Sequence, residues 1–106
     1  MNLDINNYFE DIIYLDTFFK SFKGLMLKKN ISDKNCYILK TQGIHMFFMK
    51  ISLDVIYLNK DKKIIKIIKN IKPWRIAPLM LDCKYVLEFK NSNFIKKVKL
   101  NDIINI

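Results

Sequence analysis

The sequence holds little of what most enzyme chemistries require. It has one histidine, one tryptophan, two cysteines, two glycines and two prolines, and a single arginine, Arg75. With so few glycines and prolines, its turns must be built from Asn, Asp, Lys and Ser, which cluster between the apolar runs. Cys36 and Cys83 lie far apart and in no metal-type spacing, which excludes a zinc finger or ribbon. Each begins an apolar, strand-like run, the pattern of buried free thiols in a reducing compartment, with a Cys36–Cys83 disulfide as the alternative. There is no Gly-rich phosphate loop, no paired-carboxylate motif and no His/Cys cluster. No apolar run approaches the ~20 residues that span a bilayer. The stretch from Met1 to Leu15 lacks the basic start, apolar run and cleavage site of a signal peptide. The expectation is a soluble, cytoplasmic protein without a cofactor, or an exported one if a signal peptide has been removed.

What is present is apolar and basic. Hydrophobic residues make up 51% of the 106, with eight Phe and five Tyr, enough for a core and against disorder. The length predicts one domain over residues 1–106. The formal charge is +9, which in principle favours an anionic polymer. The excess is lysine rather than arginine, however, and it accompanies Ile and Asn, so compositional bias explains it as well as a selected surface does.

Along the chain the pattern predicts a strand over Tyr8 to Tyr14, then a short helix from Asp16 or Thr17 to Gly24 with Phe18, Phe19, Phe22 and Leu25 on one face. A polar loop from Asn30 to Asn35 leads to a strand from Cys36 to Lys40. His45, Phe47 and Met49 would share one face of an extended segment. Leu53 to Leu58 and Lys63 to Ile71 read as a hairpin, although the Ile-Ile-Lys rhythm of the second arm also fits a helix. The loop Lys72 to Asp82 carries Pro73, Trp74, Arg75 and Pro78, and its two prolines predict irregular backbone. Lys84 to Phe89 is a strand with Tyr85, Leu87 and Phe89 on one face and Val86 and Glu88 on the other. A helical turn follows a cap at Asn91 to Asn93, and Ile103 to Ile106 closes the chain as a strand. The fold class expected is mainly β, a small sandwich or barrel-like domain with one or two short helices.

Gly24-Leu25-Met26, the run from Ile44 to Pro78, Val86-Leu87-Glu88-Phe89 and Asn101-Asp102 together resemble the prokaryotic domain-of-unknown-function family 192. The order and spacing of the motifs carry the resemblance over nearly the whole chain. Ser21 stands where the family commonly has Arg, Ser52 where it has Pro, and Asn91 or Ser92 and Asn101 where it has Gly. Asn tolerates positive φ, so those turns can keep their shape; loss of the Arg weakens any anionic pocket inferred from the family. The resemblance implies a compact, mainly β fold and no agreed reaction, in proteins that look like small stand-alone domains, often exported.

The candidate chemistry is a pocket of His45, Met49, Asp54, Trp74, Arg75 and Glu88. Carboxylates within apolar strands must be hydrogen-bonded or paired, and with His45 and Arg75 they would make a polar cluster holding a ligand. The opposing structural reading has Asp54 capping a turn, Glu88 paired with Arg75 or a lysine, and His45 satisfying a carbonyl. No residue is assigned a catalytic role and no metal site is expected; His45 among methionines offers soft ligands, but methionine in apolar company fills cores. The expected function is a non-catalytic ligand-binding or protein-interaction module, as monomer or homodimer. One alternative is an enzyme using His45 with Asp54 or Glu88. Another is a nucleic-acid binder through Lys60, Lys62, Lys63, Lys66 and Lys69, with Tyr57 or Trp74 stacking on bases.

Overall fold

Strands that are apolar on both sides must be covered on both sides, and this governs how the chain is laid out. The computed structural model describes residues 1–15, 31–45 and 51–106. Among these residues the strands are β1 (Asn2–Asp4), β2 (Asp11–Leu15), β3 (Asn35–Leu39), β4 (Ile44–His45), β5 (Leu53–Leu58), β6 (Ile64–Ile71), β7 (Ile76–Ala77), β8 (Tyr85–Phe89) and β9 (Ile103–Asn105), with one α-helix, α1 (Ser92–Lys97). The central sheet has the order β2-β3-β8-β5-β6. Its first pair is parallel and the rest are antiparallel. β1 pairs with β9 and β4 with β7 in two small accessory sheets. The fold is the mainly β class expected.

One face of the central sheet presents Cys36, Ile38, Ile56, Leu58, Leu87 and Phe89 to Leu3, Ile5 and Phe9 of the N-terminal segment and to Phe94, Ile95, Val98 and Ile104 of the C-terminal one. Phe9, Phe89 and Phe94 meet edge to face at centroid distances of 5.2–5.4 Å, the arrangement that aligns ring edges with ring faces. The opposite face presents Tyr37, Leu39, Val55, Tyr57 and Val86, packed with Ile31, Ile51, Ile71 and Cys83. Val55, Ile56, Tyr57 and Leu58 are all 0% exposed, so β5 is buried on both sides.

The Ile-Ile-Lys rhythm is that of a strand with two bulges. Tyr57 lies opposite Lys66 while Leu58 lies opposite Ile64, leaving Ile65 as an extra residue; a second shift falls between Leu53 and Val55. Each bulge resets the alternation, so Ile64 and Ile67 join one core and Ile65, Ile68 and Ile71 the other. At the second bulge Asn70 takes φ 53°, and its N–H donates to Asp54 Oδ1 at 2.8 Å. The β5–β6 turn is fixed by Asn59, whose side-chain oxygen accepts from the N–H groups of Asp61 and Lys63.

Several boundaries differ from expectation. The first strand of the central sheet is Asp11–Leu15, after one turn of 3-10 helix at Ile5–Asn7 and a strand at Asn2–Asp4 that the sequence pattern missed. Ile76–Ala77 between the two prolines is strand, not irregular loop, and pairs with Ile44–His45; Pro78 forces its predecessor toward extended backbone, which a strand accepts. Gly43 opposes this segment, and a Cβ there would lie 2.9 Å from the Pro78 carbonyl oxygen, which also accepts from the Tyr57 hydroxyl at 2.6 Å. Asn101 takes the positive φ expected of it, 75°. Asn91 does not; at φ −141° it is the N-cap of α1. The expected helix at residues 16–24 and the extended segment beyond His45 lie outside the described residues.

Asn91 is a three-way tie. Its Oδ1 accepts from Phe94 N–H at 3.0 Å, and its Nδ2 donates to the carbonyls of Tyr8 and Asp33 at 3.1 and 3.0 Å. A simple N-cap contributes about 1 kcal/mol, and two further bonds from one amide raise the expected cost of Asn91→Ala to about 2–3 kcal/mol in urea unfolding. Asn91→Ser, which keeps the cap and loses both amide donors, should fall between; equal stability of Ser and Asn variants would show that the tie contributes nothing.

Candidate functional site

The bulge that turns Asn70 also sets the candidate site. Asp54 stands near the start of β5, opposite Phe89 of β8, and its Oδ1 is held by the Asn70 N–H. It is a bond across the bulge to the neighbouring strand rather than the turn cap of the structural reading. Beside it opens a cleft of about 660 Å³ lined by Ile31, Ser32, Asp33, Ser52, Asp54, Asn70, Lys90 and Asn91, a size in the range of small-ligand sites. The residues come from four places: the loop before β3, the start of β5, the bulge of β6 and the end of β8. Partial burial raises the Asp54 carboxyl above its ordinary value, opposed by the Asn70 N–H and the Lys69 and Lys90 charges. Lys90 is thus within electrostatic reach of Asp54, yet among the described residues no ion pair joins Lys90 to Asp54 or Asp33.

Glu88 goes elsewhere. On β8 it follows the alternation of Val86, whose side chain packs with Tyr37 and Tyr57, while Asp54 follows that of Ile56 and Leu58, which pack on the opposite face. The two carboxylates expected in one pocket are therefore separated by the sheet, because β5 and β8 are in antiparallel register with Val55 opposite Glu88 and Asp54 opposite Phe89. Glu88 is 5% exposed. Among the described residues its carboxyl group has no hydrogen-bond or ion-pair partner, and its foreseen pairing with Arg75 or a lysine is absent. Burial alone pushes its carboxyl up to about 7 from 4.5.

The backbone brings His45 next to the Trp74–Arg75 loop, since His45 pairs with Ile76. The His45 side chain and the whole of Met49 lie outside the described residues. Trp74 is 58% exposed and takes φ 68° after Pro73, with Arg75 N–H closing the turn onto the Lys72 carbonyl. A bulky residue in that region is unusual and strained.

Both described thiols are free, Cys36 in one core and Cys83 in the other. A Cys36–Cys83 bridge is thereby excluded: the sheet stands between them. Burial raises the Cys83 thiol to about 11 and the Cys36 thiol well above the ordinary range, so both are protonated at neutral pH and neither is an activated nucleophile. The single S–H of Cys83 is shared between the carbonyls of Thr41 and Tyr85, each 3.3 Å from the sulfur. The lysines Lys60, Lys62, Lys63, Lys66 and Lys69 follow the β5–β6 turn and the edge strand β6; Lys60, Lys63 and Lys69 are exposed, Lys62 and Lys66 half-buried. Tyr57, proposed to stack on bases between them, is fully buried and directed into the core, so it cannot serve.

The cleft residues apart from Asp54 escaped the sequence reading. Ser32 and Asp33 fall in the polar loop expected from Asn30 to Asn35, Asn91 in the expected helix cap and Asn70 in the expected second arm of the hairpin, while Lys90 lies between the strand ending at Phe89 and that cap. The signal available was Asn70 itself, a polar residue that interrupts an Ile/Lys strand where only a left-handed bulge would want it.

The family model DUF192, described as Uncharacterized ACR, matches residues 3–105. The chain is 40% identical over 78 residues to a UPF0127 protein of Thermococcus sibiricus, covering 69% of this chain and 50% of that protein. A UPF0127 protein of Thermococcus kodakarensis is 36% identical with 69% and 49% covered. The chain spans about half the length of these curated relatives. A crystal structure of a protein of unknown function from Novosphingobium aromaticivorans superposes with TM-score 0.71 at 22% identity, over 88% of this chain and 71% of that one. A structure from Sinorhizobium meliloti gives 0.65 at 20%, over 85% and 76%. These structures share the fold.

Glu88 gives stability a pH dependence whose sign follows from its raised value. The folded protein holds the proton more tightly than the unfolded chain, so its contribution is full below 4.5 and is lost as pH rises through about 7. The loss is at most about 3 kcal/mol by linkage. Glu88→Gln keeps the shape and cannot ionise, so its stability relative to wild type should rise between about pH 5 and pH 8 in urea unfolding. A difference that stays constant over that interval would show Glu88 to be solvated or paired.

Proposed function

The chain belongs to the DUF192 family, and from that footing we propose that it is a non-catalytic binding module whose site for a small polar ligand is the cleft around Asp54. The observation that carries this reading is the cleft's lining: seven of its eight residues are polar or charged, and Asp54 is fixed by one oxygen to the Asn70 N–H. A carboxylate oriented by a backbone bond presents its other oxygen in a set direction without further ordering, which lowers the entropic cost of binding. Asn91 is likewise immobilised by its three bonds. The proposal centres on Asp54 rather than His45, because Ile31 is the one apolar residue among the eight that line the cleft around Asp54.

Holding rather than turnover also suits the cleft: one Asp54 oxygen already accepts from the Asn70 N–H, and the two described thiols and the Tyr57 hydroxyl lie in the cores, outside its lining.

The reading is tested by amide NMR of the labelled protein with L-serine, D-glucose and adenosine added separately at millimolar concentration. At least one should shift the amides of Ser32, Asp54, Asn70 and Asn91 saturably, and Asp54→Asn, which keeps an acceptor for Asn70, should weaken that response with the fold intact. If all three leave those amides unmoved, the cleft is a surface depression and the reading fails.

A further inference from the structure

Within the cleft, charges of both signs stand open across one cavity. Lys90 follows the end of β8, Asp54 stands near the start of the neighbouring antiparallel strand β5, and Asp33 projects from the loop before β3. Lys90 is within electrostatic reach of Asp54. Here Asp54 is turned toward Asn70 by a 2.8 Å bond, and no ion pair closes between Lys90 and either carboxylate among the described residues. The Asp33 carbonyl is fixed by Asn91, which holds that loop at the cleft wall.

Resting on the proposed binding role, we infer that the ligand of this cleft is a small zwitterion of the α-amino-acid kind, its ammonium group held by Asp54 and its carboxylate by Lys90. A neutral sugar would leave both charges to bind water or each other. A simple anion would meet two carboxylates for one lysine at the wall, and a simple cation would leave Lys90 facing it. A molecule carrying both charges a few bonds apart satisfies both ends at once, and charge-assisted hydrogen bonds are the stronger kind. Ser32, Ser52 and Asn70 remain to meet a polar side chain on the ligand.

The test compares L-serine with L-serinamide, which keeps the ammonium and lacks the carboxylate, and with N-acetyl-L-serine, which keeps the carboxylate and lacks the ammonium. Affinities are read from the cleft amides by NMR titration, with D-glucose as the neutral control. L-serine should bind at least about tenfold more tightly than either derivative, the loss expected when one charged hydrogen bond is removed. Asp54→Asn should abolish the preference over N-acetyl-L-serine, and Lys90→Gln the preference over L-serinamide. Lys90 is exposed, so its variant keeps the fold and stands as a second check beside Asp54→Asn. If D-glucose shifts the cleft amides and L-serine binds no better than its derivatives, this inference is overturned while the binding role stands. If none of the four moves the cleft amides, this inference falls, and the binding role falls with it when adenosine is silent as well.

Discussion

The double-sided burial of β5 and β8 is the constraint on which the rest of the structure depends. Val55 to Leu58 and the facing Val86, Leu87 and Phe89 are withdrawn from water on both sides of one sheet, in a chain of only 106 residues. Two separate covers are therefore needed. On one side the chain uses its two ends: Leu3, Ile5 and Phe9 at the start, Phe94, Ile95, Val98 and Ile104 at the finish. The β1–β9 pairing follows from that arrangement, since two ends laid over one face lie beside each other. Burial of apolar area at about 25 cal/mol per Å² is what drives both covers on.

The same constraint explains why the polar exceptions stand out. A carboxylate in a strand with two dry faces has to find a donor or keep its proton. Asp54, near the strand's start, finds the Asn70 N–H, and the bulge that provides it shifts the register of β6. Glu88, on the opposite face of the sheet, has no described donor, and its proton affinity rises instead. Two acids of similar chemistry thus end in different states because they face opposite sides of the sheet, Asp54 beside the bulge of β6 and Glu88 in a buried core.

How far these features could be read from residues alone depends on whether the signal was local. The hairpin, the β8 strand with its alternating faces and the Asn-capped turn before Phe94 were legible, because periodicity and capping are properties of neighbours in sequence. β1 was not, since three residues of strand are defined by a partner a hundred positions away. Nor was the fate of the six expected pocket residues. That Asp54 and Glu88 face opposite sides follows from a cross-strand register, and register is set by two segments together. The Ile-Ile-Lys ambiguity had the same origin: the rhythm looked helical because two bulges reset the alternation of a strand.

Asn70 shows how one such irregularity links fold to site. In a regular strand its position would belong to an isoleucine or a lysine, as in the two triplets before it. As an asparagine at φ 53° it tolerates a left-handed backbone at smaller cost than a β-branched residue would. Its N–H is then free of the ladder and turns to Asp54. The carboxylate is held, the bulged strand bends away, and the cleft between Ser52, Asn70 and Lys90 opens at that bend. Remove the bulge and the ladder would close over the same place, with Asp54 left facing a dry sheet. The candidate cleft and a folding irregularity are here one feature, and the polar lining follows from it: once water enters the bend, the residues around it have no reason to be apolar.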